Sequence, residues 1–396
     1  MKKLVILYID GLKPEYLNFM PKLASYAARH FFSPMKTVLG YSTTVHASIT
    51  TGYYPENNGV FLSYYHKAFK SNSAHDFYWT HSFDFFPLFI QPYSKLLVSK
   101  YLTLRKKSYG FRAGMIQPVL DKICYEEIEG LPSIIDIVTK PTLFDLLKEK
   151  VNVKFYHDQF NTEYFWKESV LSAPLTLYYT TIFDTAAQKY GIDNEKFRKI
   201  ARSMDAKIIS FLEMHKEKNI LIISDHGMVR TRKVIVIEQE LKKAGLINGK
   251  DFIAVFDPTF ARFWITDNNI IQKIKKFFSS HPDFEFLDQK KQKMYHVNFK
   301  NNKYGDLMFL CNPGVVLTLN PLQKKFRHGI KAMHGYSPDE KEMDAIFISN
   351  FIKPKNPKVV DIVPTIIDYF HLSTSPMDGT SLIKKKKTKT KKIEQT

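Results

Sequence analysis

Apolar and polar positions alternate along the chain in two distinct rhythms, and the rhythms take turns. Residues 3–11, KLVILYIDG, form an unbroken apolar run that stops at Asp10. Residues 219–225, NILIISD, form a second such run and stop at Asp225, with His226 next. Residues 175–184, LTLYYTTIFD, read as a third strand that ends on Asp184. Short, continuous apolar runs predict strands buried on both faces, as in a parallel sheet. Between them lie segments of helical period. Residues 42–52, STTVHASITTG, predict a helix that starts at a Ser/Thr cluster and ends near Gly52. Residues 141–157 read as helix then strand, and residues 194–218 carry apolar side chains at three- and four-residue steps, as a long amphipathic helix does. YYPENNGV, residues 53–60, reads as a turn, and VVDIVPTIIDYFHL, residues 359–372, as a closing helix. The alternation predicts an α/β fold.

Two stretches break it. Residues 61–133 lack any clear α/β order and include the aromatic HDFYWTHSFDFFPLFIQPY, and residues 233–331 mix helical and strand patterns. Both read as insertions that cap one end of the sheet, within a single domain covering residues 1–383. The aromatic stretch, with Tyr78, Trp79, Phe83, Phe85 and Phe86, reads as the core of that cap rather than as an apolar substrate pocket.

Composition adds bounds. The chain has 396 residues, 44% of them hydrophobic and 14% aromatic, which excludes a disordered protein. The formal net charge is +19, part of it in the tail KKKKTKTKK, where seven lysines meet no acid. Residues 384–396 therefore read as a solvated, disordered end rather than a dedicated RNA- or lipid-binding arm. The remaining basic excess suits a phosphate-bearing small molecule, and no specific nucleic-acid partner is expected. Two cysteines, Cys124 and Cys311, cannot make a disulfide scaffold or a thiolate metal cluster. No stretch approaches the ~20 apolar residues of a membrane span, and the N-terminal run lacks a cleavage site, so the expected location is the cytoplasm. Nothing in the pattern speaks to oligomeric state.

The chemistry lies at the strand ends. In open α/β sheets, sites form at the carboxyl ends of the strands. Three acids gathered there would repel one another and raise each other's pKa unless a cation answers them. Asp10, Asp184, Asp225, His226 and His334 form a mixed oxygen and nitrogen donor set, which suits Zn²⁺ or Mn²⁺. Two such ions can clamp an in-line displacement at phosphorus. Ser42, at a predicted helix N-terminus, sits where backbone N–H groups favour anions and where a hydroxyl can serve as nucleophile. By itself Ser42 reads as an ordinary N-cap, and Thr43 and Thr44 are rivals in both roles.

IDGLKPEYL, STTVHASITTGYYPENNGV, ISDHGM, MHGYSPDEKEMDAIF and VVDIVPTIIDYF stand in the order and rough spacing of the type I phosphodiesterase/nucleotide pyrophosphatase family, within the alkaline phosphatase superfamily. The chain resembles that family in blocks from residue 3 to about residue 372. The resemblance implies a doubly wound, mostly parallel central sheet with helices on both faces. It implies two divalent ions, zinc by donor type. Asp10, Asp225, His226 and the nucleophile Ser42 match the ligands of one ion, and Asp184 and His334 match ligands of the other. It implies hydrolysis of a phosphodiester or pyrophosphate through a phosphoserine intermediate.

The chain also departs from the pattern. Gln188 stands where the family carries a histidine; an amide oxygen is a poorer zinc ligand, so Mn²⁺ or Mg²⁺ becomes an option there. His157 and His328 are candidates to substitute. Thr43 stands where an aromatic often follows the nucleophile, and Ser63 where an asparagine contacts phosphate. Tyr179 matches a position that can stack on a nucleotide base, or is a core aromatic. A sulfatase nucleophile motif is absent. The alternatives on the same residues are a phosphomonoesterase, a phosphotransferase and a degenerate phosphate-binding module.

Overall fold

A strand buried on both faces needs partners on both edges and helices above and below, and the first apolar run has all four. In the computed structural model, residues 2–69, 122–125, 137–158, 173–318 and 330–383 are described. The chain runs β1 (Leu4–Ile9), α1 (Pro21–Arg29), β2 (Phe31–Met35), α2 (Ser42–Thr51), α3 (Pro55–Asn58), β3 (Tyr64–His66), β4 (Ile123–Tyr125), α4 (Leu143–Leu147), β5 (Val153–Asp158), β6 (Leu175–Thr180), α5 (Ile182–Tyr190), α6 (Glu195–Met214) and β7 (Asn219–Ile223). It continues through β8 (Val229–Arg230), β9 (Lys233–Val236), α7 (Ile237–Lys243), β10 (Ile253–Phe256), β11 (Phe260–Trp264), α8 (Asn268–Ser279), β12 (Phe284–Phe286), α9 (Gln289–Met294), β13 (Leu307–Cys311), β14 (Val315–Thr318), β15 (Ala332–Met333), β16 (Ala345–Ser349) and α10 (Ile362–Tyr369).

The central sheet has the order β2-β16-β7-β1-β6-β5. β7, β1, β6 and β5 are parallel, and β16 runs antiparallel to both its neighbours. Parallel neighbours need long crossovers, which the helices supply. Along β1 the side chains alternate between two cores. Val5, Leu7 and Ile9 pack with Leu23, Phe183, Phe197 and Ile208 of α1, α5 and α6. Leu4, Ile6 and Tyr8 pack with Val45, Leu143 and Ile366 of α2, α4 and α10. Both faces are dry, which is why the strand reads as a continuous apolar run. Each fully buried aliphatic side chain contributes about 1.5–3 kcal/mol.

α6 shows its predicted period, burying Phe197, Ala201, Met204, Ile208 and Phe211. One buried position on it is not apolar. Asp205 accepts from the backbone N–H of Lys22 and Leu23, at 3.0 and 2.7 Å, and so caps α1 from a distant helix. α1 begins with proline and has no side-chain cap of its own. Asp205→Ala should lower unfolding stability by about 1–3 kcal/mol, because two helix N–H groups lose a charged acceptor inside the core. Urea unfolding beside Asp205→Asn, which keeps one acceptor oxygen, checks this; equal stability of Asp205→Ala and the parent would show that the cap contributes nothing.

The second insertion builds a four-stranded antiparallel sheet, β10-β11-β13-β12, backed by Ile274 and Phe278 of α8. β8 and β15 pair at its base, Val229 opposite Met333 and Arg230 opposite Ala332, so the chain leaves and rejoins the sheet at one point. Of the first insertion, β3 and β4 form an antiparallel pair. Its aromatic stretch around Tyr78, Trp79, Phe83, Phe85 and Phe86 lies outside the described residues, as do His328 and the lysine tail. Cys311 is a buried free thiol. Among the described residues no helix is long and apolar enough to cross a membrane.

Two local expectations need correcting. YYPENNGV is not a bare turn: Pro55–Asn58 form a short helix that Gly59 ends at φ 86°. Asp184 does not end a strand. β6 stops at Thr180 and Asp184 is the third residue of α5. Thr181 leaves the extended region, with ψ 13°, and turns the chain into the helix while Phe183 enters the core.

Candidate active site

The register of the sheet decides what meets at its edge. Ile9 pairs with Thr180 and Tyr8 with Ile223, so the chain leaves β1, β6 and β7 at nearly one level. Asp10 follows β1, α5 follows β6, and Asp225 and His226 follow β7. Gly11, at φ 71°, makes the approach possible: a Cβ there would stand 2.9 Å from the Asp184 nitrogen. The Asp184 N–H donates to the Asp10 carbonyl at 3.2 Å, and the Gly11 N–H donates to Asp225 Oδ1 at 3.1 Å.

His334 arrives by a separate route. It follows β15, whose pairing with β8 brings the returning chain beside the segment after His226. The two imidazoles stack with centroids 3.7 Å apart and planes 9° off parallel. Asp10, Asp225 and His226 form one group of donor atoms within 4.8 Å of one another, and Asp184, His226 and His334 form a second.

Ser42 is not an N-cap. Tyr41 holds that position, Ser42 is the first residue of α2, and no side chain caps the helix. The Ser42 hydroxyl instead lies 3.0 Å from His226 Nε2. His226 Nδ1 lies 2.8 Å from the Gly227 carbonyl, which can only accept, so Nδ1 carries a proton and Nε2 is the ring nitrogen left to face a cation. Thr44 drops out as a rival nucleophile: it is buried and its hydroxyl donates to the Phe61 carbonyl. Thr43 is half-buried beside Ser42.

Burial dominates the electrostatics. It pushes the Asp10 carboxyl well above the usual carboxylate range, and the charges of Asp225 and Asp184 push it further. Burial also raises Asp184, against the pull of His226 and the Gln188 amide. Asp225 is the exception. Burial would raise it, but His226, His46 and the Gly11 N–H together hold it below its ordinary value. His334 is held well below its ordinary value by burial and by its neighbour His226, so it is neutral and able to ligate.

These residues fit a divalent cation. Asp10 Oδ1, Asp225 Oδ2 and His334 Nδ1 are buried and have no hydrogen-bond partner. Carboxylates this dry are costly without a counter-charge. Carboxylate and neutral imidazole are zinc donors, with manganese also accepted.

The other sequence candidates fall in different places. Gln188, one turn beyond Asp184 on α5, donates its amide to both Asp184 oxygens at 2.9 and 2.8 Å. Tyr179 is 2% exposed, enclosed by the rings of Tyr8, His46 and His157, and its hydroxyl donates to Asp10 Oδ2 at 2.8 Å. The ring is therefore a core aromatic that orients a carboxylate, and it presents no face for a base. Ser63 is half-buried just before β3, and among the described residues no hydrogen bond joins it to the cluster. His157 packs on Tyr179 and belongs to neither donor group.

Sequence reasoning passed over His46. It is buried on α2, four residues after Ser42, with Nε2 3.4 Å from Asp225 Oδ2 and 3.8 Å from Asp10 Oδ2. Its signal was the spacing, which places residues i and i+4 on one helix face.

The sequence matches the family model described as type I phosphodiesterase / nucleotide pyrophosphatase over residues 4–337. The chain belongs to that family. Two solved structures of murine ectonucleotide pyrophosphatase / phosphodiesterase 5 share its fold, each at 14% sequence identity and each covering 96% of this chain and 98% of theirs. One, an inactive single-substitution variant in complex with AMP, superposes with a TM-score of 0.65; the other has a TM-score of 0.64. No curated protein matches the chain. The mixed six-stranded sheet with helices on both faces is thus the fold of this phosphodiesterase family, in its alkaline phosphatase-like form.

Proposed function

We propose that this member of the family hydrolyses a phosphodiester or pyrophosphate bond in a divalent-cation-dependent reaction, with Ser42 as nucleophile. The observation that carries the reading is the placement of the Ser42 hydroxyl. It stands on the first residue of a ten-residue helix, 3.0 Å from His226 Nε2, at the rim of the Asp10/Asp225/His226 group. Asp10, Asp225 and His226 would hold the ion nearest Ser42, zinc by donor type. Asp184 and His334, with Gln188 beside them, line the neighbouring corner, where the resemblance by itself would put a second ion, with manganese or magnesium as options. A bound cation supplies Lewis acidity at the phosphoryl oxygens and lowers the pKa of the attacking hydroxyl.

The protein's own groups do the rest. The N–H groups of Ser42 and Thr43 open α2 and favour a phosphate oxygen placed there. Ser42 Oγ, losing its proton to solvent, forms a bond to phosphorus as the P–O bond to the leaving alcohol or phosphate breaks, which gives a serine phosphoester; water then attacks the same phosphorus, releases the remaining phosphate product and restores the serine hydroxyl. The Gly227 carbonyl keeps the His226 tautomer fixed, and Tyr179 and His46 hold Asp10 and Asp225 in place. The murine neighbour's complex with AMP supports a nucleotide-type ester as the substrate class.

The test is hydrolysis of bis(p-nitrophenyl) phosphate beside p-nitrophenyl phosphate, with Zn²⁺, Mn²⁺ or Mg²⁺ supplied. Diester cleavage should exceed monoester cleavage, vanish on chelation and return when metal is restored. Cleavage untouched by a strong chelator would sink the cation-dependent reading. Preference for the monoester would replace it with a phosphomonoesterase, and phosphoryl transfer to added alcohols with a phosphotransferase.

A further inference from the structure

We propose that this chain holds one divalent cation tightly, at Asp10, Asp225 and His226, and that Gln188 closes the neighbouring corner by bonding to Asp184 instead of ligating an ion there. The inference rests on the cation-dependent reading and concerns how many ions the site retains.

The two candidate donor groups share a residue. His226 belongs to both, and its Nδ1 is engaged by the Gly227 carbonyl, which leaves a single lone pair on Nε2. One lone pair serves one ion. Nε2 lies 3.5 Å from Asp10 Oδ1 and 3.3 Å from Asp225 Oδ2, so it completes a three-donor set with them. Once it does, the other group keeps only Asp184 and His334, whose Oδ1 and Nε2 are 3.5 Å apart.

Gln188 then decides what that corner is. Its amide lies within hydrogen-bond distance of both Asp184 oxygens. The NH₂ end faces the carboxylate, where it donates to both oxygens; the carbonyl end would set acceptor against acceptor unless a cation stood between them. An NH₂ group is a donor and ligates no cation. The pair is built in: Asp184 and Gln188 stand one turn apart on α5, and the Gln188 backbone carbonyl accepts from the Lys331 N–H at 2.8 Å, which ties the helix to the chain that carries His334.

Need for a counter-charge runs the same way. The Asp10 and Asp225 side chains are 4% and 0% exposed, and each keeps a buried oxygen with no hydrogen bond. The Asp184 side chain is 16% exposed and answered by the amide. Among the described residues Asp10 Oδ1 and Asp225 Oδ2 are left without a hydrogen bond, whereas both Asp184 oxygens accept from the amide.

The experiment is a count of ions. The full chain is loaded with Zn²⁺, dialysed against metal-free buffer, and its zinc measured by mass spectrometry, with thermal unfolding confirming that each variant is folded. The wild type should retain one zinc per chain and Asp225→Ala none. Gln188→His, which puts an imidazole nitrogen where the amide donor stands, should retain two, with the second held at least about 100-fold more tightly than in the wild type by titration calorimetry. Gln188→Glu, which supplies an anionic oxygen instead, serves the same purpose if the histidine variant does not fold. Gln188→Ala should still retain one. Two zinc ions in the wild type, falling to one in Gln188→Ala, would make Gln188 a ligand and overturn the inference while leaving the cation-dependent reading intact. A histidine or glutamate variant that folds and retains only one ion also overturns it. No retained zinc in the wild type overturns the inference, while the cation-dependent reading stands or falls on the chelation test.

Discussion

Ser42→Ala is expected to lower kcat for diester hydrolysis by on the order of 10⁴-fold or more, the range seen when a covalent nucleophile is removed. The loss should fall on kcat with little change in KM, since the phosphate would still meet the α2 N-terminus and the cation site. Folding should survive, because the hydroxyl caps nothing and the residue is half-buried. Ser42→Thr should retain part of the activity, since it keeps a hydroxyl on the same Cβ. Thr43→Ala is expected to cost far less. Rapid-quench labelling with a ³²P-diester gives the direct readout: wild type should carry label on serine, and Ser42→Ala none. Label persisting in the alanine variant would move the nucleophile elsewhere, Thr43 being the next hydroxyl.

The largest stability effect is expected far from the strand ends. Arg262, on β11, is fully buried. Its Nε donates to Asp257 Oδ2 at 2.8 Å, the second guanidinium arm lies 2.7 Å from the same oxygen, and the third donates to the Tyr64 carbonyl at 2.6 Å. The side chain thus ties the sheet of the second insertion to β3, where the first insertion begins. Arg262→Ala leaves Asp257 as a buried charge without that partner and should cost about 3–5 kcal/mol of unfolding free energy. Removing both charges, as Arg262→Met with Asp257→Leu, should recover much of that loss, because a buried pair contributes less than breaking it costs. Urea unfolding followed by tryptophan fluorescence compares the three proteins. A loss under ~1 kcal/mol in the single variant would show that water enters and screens the carboxylate.

Much of the site was legible in the chain. Asp10, Asp225 and His226 were legible because the apolar runs before them can only be strands buried on both faces, and such strands deliver the residues at their carboxyl ends to one edge of the sheet. Ser42 was legible as a helix start and, through the resemblance, as the candidate nucleophile; by itself it reads as the cap, and the cap is Tyr41. The Asp184 and Gln188 relation was hidden because both were referred to a strand and its exit. On a helix the same four-residue spacing puts the amide directly over the carboxylate.

Sequence by itself therefore determined the α/β class, the strands, the family and the donor types, since burial and period are written locally in every run. Only the tertiary structure decided which donors share an ion, which hydroxyl is free and which aromatic is enclosed. His226 meets Asp184 and His334 because β8 pairs with β15 across about a hundred residues of insertion. Tyr179 loses its open face because Tyr8, His46 and His157 close around it. Those outcomes depend on contacts between residues far apart in the chain, and a local pattern of polar and apolar positions carries no record of which distant surfaces will come within hydrogen-bond distance.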